Sequence, residues 1–184
     1  MGFPYLLVDP QHRIDVQAVV PPGRTLVEEA QLRFANNDVF QFEKLFVDFD
    51  SFSQVEGEYI VPLVSIHPDD FFRVFSNIVS NAIEHGFKGK ENNIIRTSLS
   101  FDAENLLCVL EVSNNGAPMD ESFTIKHLTT RGEKTLDSKG SGIGGADIKS
   151  IVEKYDGFID IRKDNNADFS VTYIVSLPII VYQL

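Results

Sequence analysis

Asn77 and Asn81 stand one helical turn apart in NIVSNAIEHGF, residues 77–87, within a run whose apolar residues recur at helical spacing. Asparagine costs roughly 0.5 kcal/mol or more against alanine inside a helix, because its side chain competes for backbone hydrogen bonds. The pair therefore needs a compensating use. The same spacing puts Asn77, Asn81, Glu84 and His85 on one polar stripe opposite the apolar face. A second segment, VSNNGAP at 112–118, runs a strand into a turn carrying Asn114 and Gly116. A third, KGSGIGGADI at 139–148, sets Gly140, Gly142, Gly144 and Gly145 ahead of a helix. Glycines opening a helix present free backbone N–H groups at its positive end, which suits phosphate. Each segment alone has a plainer reading: a solvated helix face, a hairpin end, a flexible linker.

Other phosphate loops do not fit. No Lys-Ser or Lys-Thr follows the glycines as a P-loop requires. Nor do they follow a strand with an acidic residue about 20 positions later, as the Rossmann fingerprint requires.

These segments have to be held by the elements around them. LVEEAQLRFA, capped by Thr25 and closed by Asn36 and Asn37, reads as a helix, and VFQFEKLFVDFDSF reads as strand, its first half as strand or helix. EYIVPLV predicts a strand, after which Asp69 or Asp70 caps a helix burying Phe72, Phe75, Ile78, Val79, Ala82 and Ile83 and ending at Gly86. IIRTSLSF and LLCVLEVS form a hairpin over DAEN. Residues 114–142 lack an apolar period, and a loop of that length is usually functional or disordered. A helix from Gly144 to Gly157 follows, with Ile148, Ile151, Val152 and Tyr155 on one face. Two strands, FIDIR and FSVTYIVSL, close the chain over the turn DNNAD; Phe169, Val171, Tyr173, Val175 and Leu177 share one side. The expected fold is α+β: a two-layer α/β sandwich, its mixed, mostly antiparallel sheet covered on one face by helices.

The chain has 184 residues, 43% hydrophobic and 23% charged, enough for one domain with a core. Its net charge of −11 disfavours nucleic acid and anionic membrane as partners. The single cysteine, Cys108, excludes an intrachain disulfide and fits a reducing compartment; its setting in LLCVL reads as a buried apolar position. No basic leader and no apolar run of about 20 residues is evident, so the expectation is a cytoplasmic protein or fragment. His12, His67, His85 and His127 are scattered and give little support to a zinc site.

Asn helix, NNG strand-turn, long loop and GSGIGG helix, in that order, resemble the N box, G1 box, lid and G2 box of the GHKL ATPase superfamily, which shares the Bergerat ATP-binding fold. The resemblance covers about residues 60–180, with 58–184 as a histidine kinase-like ATP-binding domain and 1–57 as an N-terminal segment of the same or another unit. It implies ATP and Mg²⁺ as cofactors, with Asn81 coordinating the metal through its amide oxygen, a neutral ligand for a hard ion. Asn77 takes the place where the gyrase and chaperone branch keeps a glutamate to activate water and where sensor kinases commonly have Asn. Poor hydrolysis is the implied result, sparing the γ-phosphate for a protein acceptor. His85 matches a ring near the adenine or ribose, and Glu84 a position where many sensor kinases place Lys. Asn114 replaces the family's Asp, which accepts from the adenine amine; its oxygen can still accept while its amide donates to a ring nitrogen. Gly116 belongs to that box, and Pro118 replaces the box's second glycine. Gly140, Gly142, Ile143 and Gly144 match the phosphate cradle. In the lid, Arg131, Lys134 and Lys139 sit either on a solvated loop or on a clamp that closes over the phosphates, and Arg131 with Asn77 is assigned to catalysis.

The implied function is a histidine-kinase-type catalytic domain that phosphorylates a His-bearing helical domain or a response-regulator pathway protein. No long amphipathic helix carries an acceptor histidine, so the chain reads as the catalytic part of a longer kinase or as a free-standing relative. The alternative is an anti-sigma-factor-like serine kinase or a binding module without phosphotransfer.

Overall fold

The computed structural model describes residues 26–48, 63–122, 124, 143–165 and 167–180. In chain order the elements are α1 (Leu26–Leu32), β1 (Gln41–Phe42), β2 (Phe46–Val47), β3 (Leu63–Val64), α2 (Pro68–Asn81), β4 (Ile94–Asp102), β5 (Leu107–Asn114), α3 (Ile143–Lys154), β6 (Phe158–Lys163) and β7 (Val171–Ile180).

Alternation in β4 and β5 drives the expected hairpin, with Leu99 opposite Leu110 and Thr97 opposite Val112. Its turn is held by Asp102, whose Oδ1 accepts from the N–H groups of Glu104 and Asn105, each at 3.1 Å. β7 pairs antiparallel with β5, placing Val175 beside Leu110 and Tyr173 beside Val112. β6 and β3 both pair with the far edge of β7, over different stretches. Apolar rows thus run across the sheet, and α2 supplies Phe71, Phe75, Ile78 and Val79 to the same core, α3 Ile148 and Val152. Fully burying a side chain of this size contributes about 1.5–3 kcal/mol. The expected two-layer α+β sandwich is the observed one, its sheet antiparallel except where β1 and β2 run parallel to β4.

Three local expectations change. His67, not Asp69 or Asp70, caps α2: its Nδ1 accepts from Asp69 N–H at 3.2 Å, with Pro68 following as a first-turn residue that has no N–H to satisfy. Over VFQFEKLFVDFDSF, expected as strand with a first half of either strand or helix, the described residues form two short strands and no helix. The edge chain takes four steps from Phe42 to Phe46 where β4 takes three from Ile95 to Ser98, a bulge that interrupts the pairing. Phe169 lies before β7 and stacks under Arg96, 3.9 Å from its guanidinium carbon, instead of joining the strand's inner row.

α1 belongs to the same core, with Leu26, Val27 and Ala30 buried. It ends at Leu32, short of the expected close at Asn36 and Asn37, and Asn37 instead orders the turn that follows, accepting from Val39 and Phe40 N–H and donating to Phe34 O. α2 does not stop at its last regular turn. It widens over Ala82–Gly86 into a π turn, closed by Phe87 N–H on Ala82 O at 2.9 Å.

Candidate functional site

The π turn delivers Gly86 against the end of β5. Ala117 N–H donates to Gly86 O at 2.7 Å, which stitches the end of the α2 segment to the NNG turn. The approach is so close that a Cβ on Gly116 would lie 2.7 Å from both Gly86 Cα and Gly86 C. Only two glycines pack this way. Asn114 sits beneath them, 4% exposed, its Oδ1 accepting from Gly116 N–H at 3.1 Å. Asn115 pins the turn to the start of β4, accepting from Ile94 N–H at 2.8 Å and donating to Asn92 O at 2.9 Å. Ser170 Oγ donates to Gly116 O at 2.8 Å from the β7 side.

Nine residues before Gly86, Asn77 faces the opening of α3. A Cβ on Gly144 would lie 3.6 Å from Asn77 Oδ1, so the carboxamide reaches the helix's N-terminal turn without crowding it. Asn77 Nδ2 donates to Asp147 Oδ2 at 3.0 Å, and Arg73 Nη2 donates to Asp147 Oδ1 at 2.6 Å. Arg73 and Asn77, adjacent on one α2 stripe, together hold α3 by a single carboxylate. At the other end of α3, Asp70 accepts from Lys154 Nζ and Tyr155 Oη, each at 2.7 Å. The Lys154 hydrogen bond, with Tyr155 and the charges of Lys154 and Arg73 adding to it against burial, holds the Asp70 carboxyl below its usual range.

Asn81 is half-buried, and its Nδ2 is sealed from solvent without a hydrogen-bond partner. The side chain meets Tyr173 of β7, whose hydroxyl burial pushes up to about 12 while Asn81 acts the other way. His85 and Glu84 are exposed on the π turn, and Pro118 is exposed past the NNG turn.

The structure thus gathers Asn77 and Gly144 at one point and Asn114 and Gly116 at another, with Asn81 on the helix that links them. Ile143 opens α3. Arg131, Lys139, Gly140 and Gly142 lie outside the described residues, as does Lys134. Asp147, Arg73 and Ser170 were not anticipated. Arg73 lies four residues before Asn77, and Asp147 three after Gly144, so the stripe and the motif each hinted at a neighbour. Their meeting depends on how α2 and α3 cross, which no spacing along the chain reports. Gly86 was expected only as a helix stop, yet it packs against Gly116 and binds the NNG turn through Ala117 N–H.

Comparison with known proteins bears on the family and the fold. A family model described as a GHKL domain matches residues 66–175. Sensor histidine kinase YvrG of Bacillus subtilis (strain 168) is 34% identical over 108 residues, covering 56% of this chain and 18% of that protein. Probable sensor kinase SilS of Salmonella typhimurium is 32% identical over 122 residues, 63% of this chain and 22% of its own. The chain spans only a minor part of the length of either kinase. Among solved structures, the mycobacterial sensor histidine kinase MprB superposes with a TM-score of 0.63 at 16% identity, covering 84% of this chain and 92% of that one. A nucleotide-free catalytic domain of histidine kinase ThkA gives 0.61 at 22%, covering 83% and 91%. The fold is therefore that of histidine kinase catalytic domains, and by the family match over most of its length this chain belongs to the GHKL family.

Proposed function

We propose that this chain is the nucleotide- and Mg²⁺-binding catalytic domain of a histidine-kinase-type protein kinase. It takes ATP and passes the γ-phosphoryl group to a protein acceptor: a His-bearing helical domain or a protein of the response-regulator pathway. The observation that carries this reading is the contact of the α2 carboxamide stripe, at Asn77, with the glycine-opened N-terminus of α3 at Gly144. It sets a carboxamide beside a helix N-terminus, whose unpaired backbone N–H groups are the chemistry a triphosphate needs.

The donor set fits a magnesium ion held mainly by its nucleotide. Among the described residues no group of three His, Cys, Asp or Glu side chains can hold a metal by itself. Asn81 supplies one neutral oxygen, and phosphate oxygens and water would complete the shell. The bound ion would supply charge neutralisation for the phosphates. Asn77 carries no base, and its amide is committed to Asp147, so the site is built to position a phosphoryl group and not to activate water. Arg131 and Lys139 are the cations assigned to clamp the phosphates.

A second reading, a module that binds a partner without phosphotransfer, draws support from Asn114, whose oxygen is already used inside its own turn. Titration calorimetry of a nonhydrolysable nucleoside triphosphate, with and without Mg²⁺, separates the two. The kinase reading expects Mg²⁺ to tighten binding and Asn81→Ala to remove about tenfold or more of that affinity. Equal affinity of both proteins with and without the metal would refute it.

A further inference from the structure

Asp147 fixes which end of the Asn77 carboxamide faces the opening of α3. An ionised carboxylate accepts hydrogen bonds and donates none, so the atom 3.0 Å from Asp147 Oδ2 is the Asn77 amide nitrogen. The oxygen is turned toward Gly144: the position a Cβ would take there lies 3.6 Å from Asn77 Oδ1 and 3.8 Å from its Cγ, with Nδ2 beyond 4 Å. The carboxylate is itself held from the other side, Arg73 Nη2 donating to its Oδ1 at 2.6 Å. Asp147 is 25% exposed, so both bonds are partly shielded from competing water. Asn77 Oδ1 takes part in no hydrogen bond among the described residues.

We propose that Asp147 is a positioning residue for the phosphate end of the site. By holding Asn77 Nδ2 it presents a carboxamide oxygen, and not an NH₂ group, beside the first turn of α3, and so favours the metal-bound triphosphate over the bare one. This role presupposes the nucleotide reading of the site. A carboxamide oxygen carries partial negative charge and offers only lone pairs. Beside a bare triphosphate it meets like charge; beside one that carries Mg²⁺ it meets the cation or water polarised by it. Released from Asp147, Asn77 is free to turn its amide, and an NH₂ group donates to phosphate oxygens whether or not metal is present. Removing the carboxylate therefore costs preference for the metal complex, and not affinity for nucleotide as such.

Calorimetric titration with a nonhydrolysable ATP analogue, once with Mg²⁺ and once with a chelator in its place, gives each protein a ratio of two dissociation constants. In Asp147→Ala the tightening by Mg²⁺ is expected to shrink about threefold or more, the worth of one hydrogen bond gained by the metal-free nucleotide. Loss of a negative charge by itself also eases binding of the more anionic metal-free form, so Asn77→Ala provides the control. On that background Asp147→Ala should move the ratio by less than about half as much. A purely structural role for Asp147 weakens both affinities together and leaves the ratio standing. An unchanged ratio in Asp147→Ala, or an equal shift with and without Asn77, overturns the positioning role while the nucleotide site stands. No binding by the wild type with Mg²⁺ overturns the nucleotide reading and the role together. Should Asp147→Ala fail to fold, judged by circular dichroism, Asp147→Leu keeps the branched shape without an acceptor and is read by the same outcomes.

Discussion

At the scale of single residues the site is governed by how small some of them are. Gly86 and Gly116 let the end of the α2 segment and the NNG turn share a contact that no side chain would allow. A Gly116→Ala methyl would meet backbone atoms of Gly86 at 2.7 Å, and backbone cannot swing aside as a side-chain tip can. Gly86→Ala meets first a side-chain oxygen, Asn114 Oδ1, at 3.0 Å. Urea denaturation is expected to show Gly116→Ala destabilised by about 2–4 kcal/mol and Gly86→Ala by less. An unchanged midpoint for Gly116→Ala would contradict the back-to-back packing. NNG was legible as a turn, but the partner glycine thirty residues earlier was not, because its role arises from contact across the chain.

Among elements, the relation of α2 to α3 matters most, since it sets Asn77 against Gly144. Two carboxylates fasten this pair: Asp147 to Arg73 and Asn77 at one end, Asp70 to Lys154 and Tyr155 at the other. A carboxyl held below its ordinary value of 3.8, as Asp70 is, stabilises the fold above that value. Its contribution is lost as pH falls through the lowered native value, because protonation then occurs in the folded state as well. Asp70→Asn should lower the melting midpoint near neutral pH by about 2–4 °C and make the remaining stability less sensitive to acid below that value. Parallel loss of stability by wild type and variant on acidification would show that Asp70 does not carry it. Both helices were legible from apolar spacing. The bonds between them were not, since a charged residue on a polar stripe looks the same whether it faces water or another helix.

For the whole molecule, the sheet and helices enclose one core reaching from α1 to β7. Cys108 lies in it, 5% exposed, and burial pushes its thiol up to about 12. The expectation of a buried apolar position, as opposed to a nucleophile, matches this placement. The native chain should resist a disulfide reagent near neutral pH and react fully in denaturant; rapid labelling of the folded protein would contradict the closed core. Among the described residues no helix is long and apolar enough to cross a membrane.

Periodicity, turn residues and motif order determined the α+β class, the hairpin, both motif helices and the family, because each is a pattern of neighbours along the chain. Tertiary structure alone decided that Gly86 meets Gly116 and that Arg73 and Asn77 share the carboxylate of Asp147. These outcomes depend on which backbone groups from distant segments compete for one oxygen or one space, and that competition exists only once the chain has folded.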